Sequence, residues 1–208
     1  MGPWDEEMIA RFLDALAAGT AEPGGGAAAA LMAATGAALL SMACGLTMGR
    51  PRYAAHEGSV RRAHREAEAL RAEALSLLAQ DVEAYREVTA AYRLPRAGES
   101  AERQARIQEA LEGATDVPLR IAALAGRIVE LSAEVVDGIN RNAAGDLAVG
   151  VLATTAALNG AALTVKINLA EVENETFTTE VEERLERTIA ATRPQADRVL
   201  HTVEGHTR

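Results

Sequence analysis

The chain has 208 residues, a formal net charge of −9, 49% hydrophobic residues and only 3% aromatic residues. This length suits one domain with its own core, and the negative charge argues against a nucleic-acid-binding protein, which needs a basic face. A core of small aliphatic residues buries little area per residue, so we expect a second copy to complete it as a homodimer.

The cysteine content and the first residues bear on the compartment. Cys44 is the only cysteine and lies inside an apolar run, so no disulfide framework exists and a reducing compartment is expected. The first residues are acidic and lack a basic-then-apolar signal. We therefore expect a cytoplasmic protein.

The first half of the chain predicts three helices. An amphipathic helix over 4–18 is followed by a glycine-rich turn. Residues 24–49 carry no charge and predict a helix buried on all sides, with a membrane span as the alternative that its length allows. A long helix over 55–94 has an inward stripe in steps of three and four. The stripe comprises Val60, Ala63, Ala67, Leu70, Ala74, Leu77, Asp81, Ala84, Tyr85, Val88 and Tyr92.

The second half continues the helical pattern. A polar helix over 99–113 precedes a separate helix over 116–138 that has a proline in its first turn. A second apolar helix covers 147–169, and a last helix covers 174–201 with a candidate break at its proline. The sequence thus predicts an all-α, single-domain bundle over 1–208. It has six or seven helices, two of them buried and apolar and one of them long, and it is homodimeric.

Three charged side chains interrupt the apolar pattern. Asp81 stands on the inward stripe, where an ionised carboxylate is costly unless paired, so it is either a buried cap or ion pair or a site carboxylate. Asp146 lies in the first turn of the second apolar helix, where the helix dipole favours an acidic side chain. The helix face that carries Asp146 continues through small residues from Gly150 to Gly160. Another helix or a flat ligand would pack there. Lys166 is the only lysine and either extends to solvent or faces an anionic group.

The sequence gives little or no evidence for a nucleotide-binding loop, a metal site or a reactive cysteine. The turn Pro23–Gly26 leads into a helix N-terminus, which favours anions, but it lacks the strand or the Lys-Ser/Thr of nucleotide-binding loops. No histidine pair stands beside a third ligand at metal-binding spacing, so no metal site is predicted. Cys44 has no base partner and is expected to be a small buried hydrophobe.

Five segments occur in an order and at separations typical of one known family. They are FLDALAAGTAEPGGGAAAALMAATGAALLSMACGLTMGR, DVEAYREVTAAYRLPR, VPLRIAALA, NRNAAGDLAVGVLA and TVKINL. Together they resemble the cyclodeaminase/cyclohydrolase family over residues 12–177. That family includes the C-terminal half of formiminotransferase-cyclodeaminase and stand-alone bacterial methenyltetrahydrofolate cyclohydrolases. The resemblance implies an all-helical subunit that dimerises, with folate bound near the subunit interface.

The family motifs fall on the residues singled out above. For the reaction that the resemblance implies, we expect Asp146 to be the leading catalytic base and Asp81 a second carboxylate or its orienter. We expect Lys166 and Arg50 to bind the glutamate tail or the pterin oxygen. Thr164 and Arg96 depart from the family pattern, in which Asn and Lys are common. The substrate-binding positions are Pro23, Gly24, Gly25, Gly26, Arg50, Asn140, Asn142 and Asn168.

The resemblance implies a reaction on a folate one-carbon unit. A carboxylate would activate water to open the cationic bridge of 5,10-methenyltetrahydrofolate, giving 10-formyltetrahydrofolate. No metal, redox group or other cofactor beyond the tetrahydrofolate substrate is expected. Because no formiminotransferase half precedes the matched region, we expect this cyclohydrolase reaction. Cyclodeaminase, which releases ammonia from the formimino substrate, is the first alternative, and a non-catalytic folate-binding or scaffold protein is the second.

Overall fold

Six α-helices and short connections account for the described residues of the computed structural model, which are 6–95 and 101–205. No strand occurs in these ranges, so the predicted all-α class is confirmed. Three 3₁₀ turns, at Pro51–His56, Val136–Gly138 and Arg141–Ala143, join the helices. The helices are α1 (Glu6–Ala17), α2 (Gly25–Gly45), α3 (Glu57–Tyr92), α4 (Ala101–Val135), α5 (Ala144–Leu169) and α6 (Glu175–Gly205).

The two apolar helices, α2 and α5, pack antiparallel at the centre of the bundle. A Cβ atom at Gly36 would lie 2.8 Å from the carbonyl oxygen of Gly150, and one at Gly160 would lie 3.6 Å from the Cβ of Ala29. These small residues let the two backbones approach closely. The bare face of α5 is therefore covered by a helix, the first of the two alternatives that the sequence left open.

Helices α3 and α4 flank this pair and are joined by ion pairs. Arg127 lies 2.6 Å from Glu66 across the contact. The α3 stripe is buried as predicted from Val60 to Leu77, except that Leu70 is only half-buried. Tyr85 and Tyr92, however, are 44% and 47% exposed, so their predicted place in the core is wrong. The reason is that α2 begins beside Asp81, so the turns of α3 that follow Asp81 extend beyond the end of α2 and are not covered by it.

Pro118 lies inside one continuous helix, α4, where the sequence predicted two helices. Proline has no N–H to donate to the carbonyl of Ala114, four residues earlier. The side-chain amide of Asn168 donates to that carbonyl instead, at 2.8 Å. Helix α6 likewise runs through Pro194 without a break.

We expect Asn168→Ala to lower the free energy of unfolding by about 1–3 kcal/mol, because it leaves the Ala114 carbonyl without a donor. In a Pro118→Ala background the restored backbone N–H should supply that donor and reduce the loss. Urea unfolding of the four chains in this double-mutant cycle measures the difference. Equal losses in both backgrounds would contradict the pairing.

Helix α5 is more exposed than a buried core helix. Among the residues of the most apolar stretch of the segment Arg141–Leu169, 44% are buried, against 61% in α2, so within a single chain the predicted burial is incomplete for α5. The α2, α4 and α6 side of α5 is covered, and its opposite side is not. That uncovered side carries Val149, Leu152, Leu163 and Ile167, each more than half exposed. We call these four residues the α5 stripe.

Helix α1 also lacks cover within the chain. Met8, Ile9 and Leu13 on its apolar side are all more than half exposed. Between Met8 and Ala17, no hydrophobic side chain belongs to or packs against either hydrophobic cluster of the described residues. Cys44, in contrast, is fully buried as predicted, and burial raises the pKa of its thiol to about 12.

Candidate functional site

A cavity of about 260 Å³ lies at the N-terminal end of α2. The glycine turn, α3, α4 and the last turns of α5 enclose it, and we call it the α2 cavity. Ligand pockets commonly measure about 300–1,000 Å³, so this one holds one end of a drug-sized ligand. Its lining comprises Ala21, Glu22, Gly24, Gly25, Gly26, Asp81, Val82, Ala84, Tyr85, Val88, Leu111, Ala114, Thr164 and Asn168.

Asp81 supplies the carboxylate of this cavity. It is half-buried and accepts a hydrogen bond from the backbone N–H of Ala27, in the first turn of α2. Burial raises the pKa of Asp81 above its usual 3.8, and that hydrogen bond offsets the rise only in part. No cation pairs with Asp81 among residues 6–95 and 101–205. The ion-pair alternative is therefore wrong, and Asp81 both caps α2 and faces the cavity.

The glycine at position 26 is required by this contact. A Cβ atom at Gly26 would lie 2.6 Å from the Cγ of Asp81, closer than real contacts allow. At Gly25 an added Cβ would meet no atom within 4 Å. The second position of the run is therefore tolerant and the third is not. Gly26 lets the carboxylate approach the free N–H groups at the start of the helix.

A second cavity, of about 470 Å³, lies at the other end of α2. We call it the arginine cavity, because it presents three arginines and no acidic residue. None of Arg50, Arg52 and Arg141 forms an ion pair with another described residue, although Arg52 lies over the ring of Tyr53 at 5.8 Å. Its lining comprises Arg50, Pro51, Arg52, Tyr53, Asn140, Arg141 and Asn142.

Asn140 is buried beneath the arginine cavity, and its hydrogen bonds connect the loop after α2 with the loop before α5. Its side-chain amide donates to the carbonyl of Leu46 at 3.1 Å, and its side-chain oxygen accepts from the backbone N–H of Asn142 at 3.1 Å. Its backbone N–H donates to the hydroxyl of Thr47 at 2.9 Å. Asn140 thus shapes the cavity, whereas the exposed side chain of Asn142 is available to a ligand.

The predicted site residues divide between the two ends of the bundle. Gly24, Gly25, Gly26, Asp81 and Asn168 line the α2 cavity, and Pro23 directly precedes its glycines. Arg50, Asn140 and Asn142 line the arginine cavity. Because α2 has 21 residues, the two groups lie about 30 Å apart within one chain.

The two remaining catalytic candidates are also separated. Asp146 and Lys166 stand in the first and last turns of α5, about 30 Å apart at 1.5 Å per residue. Both are exposed, and neither lines a described cavity. One chain alone therefore does not bring Asp146 to Asp81.

Comparison with known proteins identifies the family of this chain. The sequence pattern of the formiminotransferase-cyclodeaminase family matches residues 8–187. The chain belongs to this family. The family predicted from the five sequence segments is therefore confirmed.

Members of the family differ in length and in the reaction for which they are named. A methenyltetrahydrofolate cyclohydrolase of Methylorubrum extorquens is 39% identical over 96% of this chain and 97% of its own length. A formimidoyltransferase-cyclodeaminase of Rattus norvegicus is 31% identical over 96% of this chain but only 37% of its own length. A solved structure of formiminotetrahydrofolate cyclodeaminase from Thermotoga maritima superposes with a TM-score of 0.89 at 26% identity, covering 96% of this chain and 97% of that one.

Some residues at the cavity were missed by the sequence interpretation. Tyr85 was placed in the core, although its position one turn after Asp81 puts it beside that carboxylate. Glu22 was treated only as part of a turn, yet it lines the cavity and pairs with Arg86 at 2.9 Å. Thr164, noted as a departure from the family pattern, lines the cavity as well, whereas Arg96 lies outside the described residues. No cluster of three metal-ligating side chains occurs in the described ranges.

Proposed function

We propose that this chain hydrolyses 5,10-methenyltetrahydrofolate to 10-formyltetrahydrofolate in the α2 cavity, with Asp81 as the essential carboxylate. The observation that carries the proposal is a half-buried carboxylate without a cation partner, placed at the glycine turn of a cavity. A positively charged one-carbon bridge is the complementary substrate. The 39% identity to a methenyltetrahydrofolate cyclohydrolase over almost the full length supports this reaction.

The mechanism follows from this charge. The bridge carbon of the substrate belongs to an amidinium cation between N5 and N10, which the Asp81 carboxylate stabilises more strongly in a partly desolvated cavity than in water. Asp81 then takes a proton from water while the water oxygen bonds to the bridge carbon. The added hydroxyl group then loses its proton to solvent as its oxygen becomes the formyl carbonyl. The C–N5 bond breaks and the proton held by Asp81 passes to N5, which leaves the formyl group on N10 and releases one proton overall. No metal or redox group takes part in this scheme.

The homodimer predicted from composition is part of the proposal. The α5 stripe is an exposed apolar surface on a helix that otherwise belongs to the core, and a second copy provides the matching surface. Ala156, also exposed, stands midway between Asp146 and Lys166. Two α5 helices that cross antiparallel at Ala156 would place Asp146 of one subunit opposite Lys166 of the partner subunit.

This arrangement would also bring together the predicted site residues that lie at opposite ends of a single chain. An antiparallel crossing brings the α2-cavity end of one subunit towards the arginine-cavity end of the other. Asp146, Arg50 and Asn142 could then approach Asp81 across the interface, whereas within one chain they cannot. The roles that the resemblance implies for these residues therefore depend on the dimer.

We expect Leu163→Glu to convert the dimer into monomers, because the substitution places a carboxylate in an apolar contact. The dissociation constant should rise by at least about 100-fold, as measured by size-exclusion chromatography with light scattering. Leu94→Glu is the matched control, since Leu94 is 41% exposed but lies outside the stripe. A monomeric parent chain, or a dimer that persists in Leu163→Glu, would contradict the interface.

The pH dependence of the reaction should report on Asp81. Burial raises the pKa of this carboxyl, and the base works only when ionised. We therefore expect kcat/KM to fall as the pH drops through a pKa above 3.8, the ordinary value for aspartate. Initial rates across the acidic range give the profile. An acid limb that begins only at an ordinary aspartate pKa would contradict the assignment.

Cyclodeaminase is the second candidate, favoured by the fold match to a formiminotetrahydrofolate cyclodeaminase. Purified protein is incubated with each folate and the methenyl absorbance is followed. The proposed reaction consumes this chromophore, whereas cyclodeaminase forms it. We expect consumption that persists after dialysis against a chelator, as for a cytoplasmic enzyme without a metal cofactor. Formation of the chromophore, with no consumption, would replace the proposal by the second candidate.

A further inference from the structure

Helix α3 carries a row of functional groups that leads away from the α2 cavity. Asp81, Tyr85 and Thr89 follow one another at four-residue intervals along one side of α3, and Arg93, four residues after Thr89, is the C-cap residue of the helix. From Asp81 to Arg93 the row is about 18 Å long at 1.5 Å per residue. It presents a carboxylate, an aromatic ring, a hydroxyl and a guanidinium in that order.

The row is the floor of a continuous groove. A third cavity, of about 360 Å³, adjoins the α2 cavity and shares Ala21, Glu22 and Tyr85 with it. Thr89 and Arg93 line this third cavity. We call the two cavities together the α3 groove. Tyr85 stands at the junction and is 44% exposed, so part of its side chain is accessible to a ligand.

The charges at the two ends of the groove are uncompensated. Asp81 has no cation partner, and Arg93 forms no ion pair with any residue in 6–95 or 101–205. Arg86, between them, is already paired with Glu22 and Glu83, at 2.9 and 3.4 Å. The groove therefore selects a ligand that is positive at one end and negative at the other.

We infer that the α3 groove binds the folate along its whole length, with the aminobenzoyl ring on Tyr85 and the glutamate carboxylates on Arg93. This inference rests on the proposed function. A 5,10-methenyltetrahydrofolate carries its groups in the order of the row: a cationic bridge, an aromatic ring, an amide and carboxylates. The Thr89 hydroxyl donates to the carbonyl of Tyr85 at 3.0 Å, so its oxygen remains free to accept from the ligand amide N–H.

This assignment differs from the one that the resemblance implied for the glutamate tail. Arg50 belongs to the arginine cavity, about 30 Å from Asp81 in the same chain, and can approach only from a partner subunit. Arg93 caps the C-terminus of α3, the helix that carries Asp81, and needs no partner. Substitution of Arg50 and of Arg93 therefore separates the two tail sites.

The test is a binding measurement by calorimetry with 5-formyltetrahydrofolate and with its pteroate counterpart, which lacks the glutamate. We expect Arg93→Ala to weaken binding of the first ligand about tenfold and to leave the second unchanged. Tyr85→Ala should weaken both about tenfold, and Tyr85→Phe should bind as the parent does. Exposed positions on the same helix, Arg65→Ala and Tyr92→Ala, are the matched controls and should have no effect.

The outcomes separate this inference from the proposed function. An Arg93→Ala chain that binds the first ligand as the parent does, or a tenfold loss that appears in Arg50→Ala instead, would overturn the groove. A parent chain that binds neither ligand would overturn it too. A parent that binds both ligands with the expected pattern but consumes no methenyl substrate would support the groove and contradict the proposed hydrolysis.

Discussion

Asp81→Asn is expected to lower kcat for methenyltetrahydrofolate hydrolysis by about 10²–10⁴-fold, the range for loss of a general base. Asparagine keeps the shape of the side chain and can still accept from the Ala27 N–H, but it neither takes a proton nor offsets the amidinium charge. The KM should change less than kcat, because most of the binding surface of the groove remains.

The same substitution should not destabilise the protein at neutral pH. Because burial raises the pKa of Asp81, the folded chain favours the protonated carboxyl, and that stabilising contribution is lost as the pH rises from 3.8 through the raised pKa. A neutral amide removes the cost of the buried charge. Thermal unfolding at neutral pH should therefore show an Asp81→Asn chain at least as stable as its parent.

Glu73→Gln is the control for the charge change, since Glu73 is an exposed carboxylate on the same helix and lines neither part of the α3 groove. It should retain the activity of the parent. Full hydrolysis in Asp81→Asn would remove this carboxylate from the mechanism. A loss of activity that accompanies a large drop in melting temperature would instead indicate a mainly structural role.

Gly26→Ala is expected to have the second largest effect, about 100-fold on kcat/KM together with a loss of about 1–3 kcal/mol in the free energy of unfolding. The added methyl group cannot occupy the space of the Asp81 carboxylate, so either α3 shifts or the Asp81 side chain leaves the helix N-terminus. Both changes move the proposed base. Steady-state rates and urea unfolding measure the two effects separately.

Gly25→Ala provides the control within the same turn. Nothing lies within 4 Å of a Cβ atom at Gly25, so this chain should keep the stability of its parent. Comparable losses in Gly25→Ala and Gly26→Ala would show that the whole turn, rather than the contact of Gly26 with Asp81, is sensitive.

The helices themselves could be predicted because their determinants are local. The uncharged runs, the three-and-four spacing on α3 and the terminating glycines and prolines all lie in the sequence near the feature that they determine. The continuity of α4 could not be predicted in this way. Pro118 is tolerated there because Asn168, distant in sequence, satisfies the carbonyl that proline leaves free.

The site was predictable only in part. Asp81 stood out because a carboxylate on an apolar stripe is costly, and the structure places it at a cavity. Gly26 could be found as part of a turn, but its contact with Asp81 depends on how two helices pack. The separation of Asp146 from Lys166 was already implied by their positions at opposite ends of one helix. Their relation across the proposed dimer depends on a surface that a single sequence does not reveal.

A crystal structure with 5-formyltetrahydrofolate bound tests the central claim most directly. We predict the pteridine in the α2 cavity, with an Asp81 carboxylate oxygen within about 3.2 Å of the one-carbon group or one water molecule away from it. A folate that lies wholly in the arginine cavity of its own subunit, with Asp81 about 30 Å distant, would contradict the proposal.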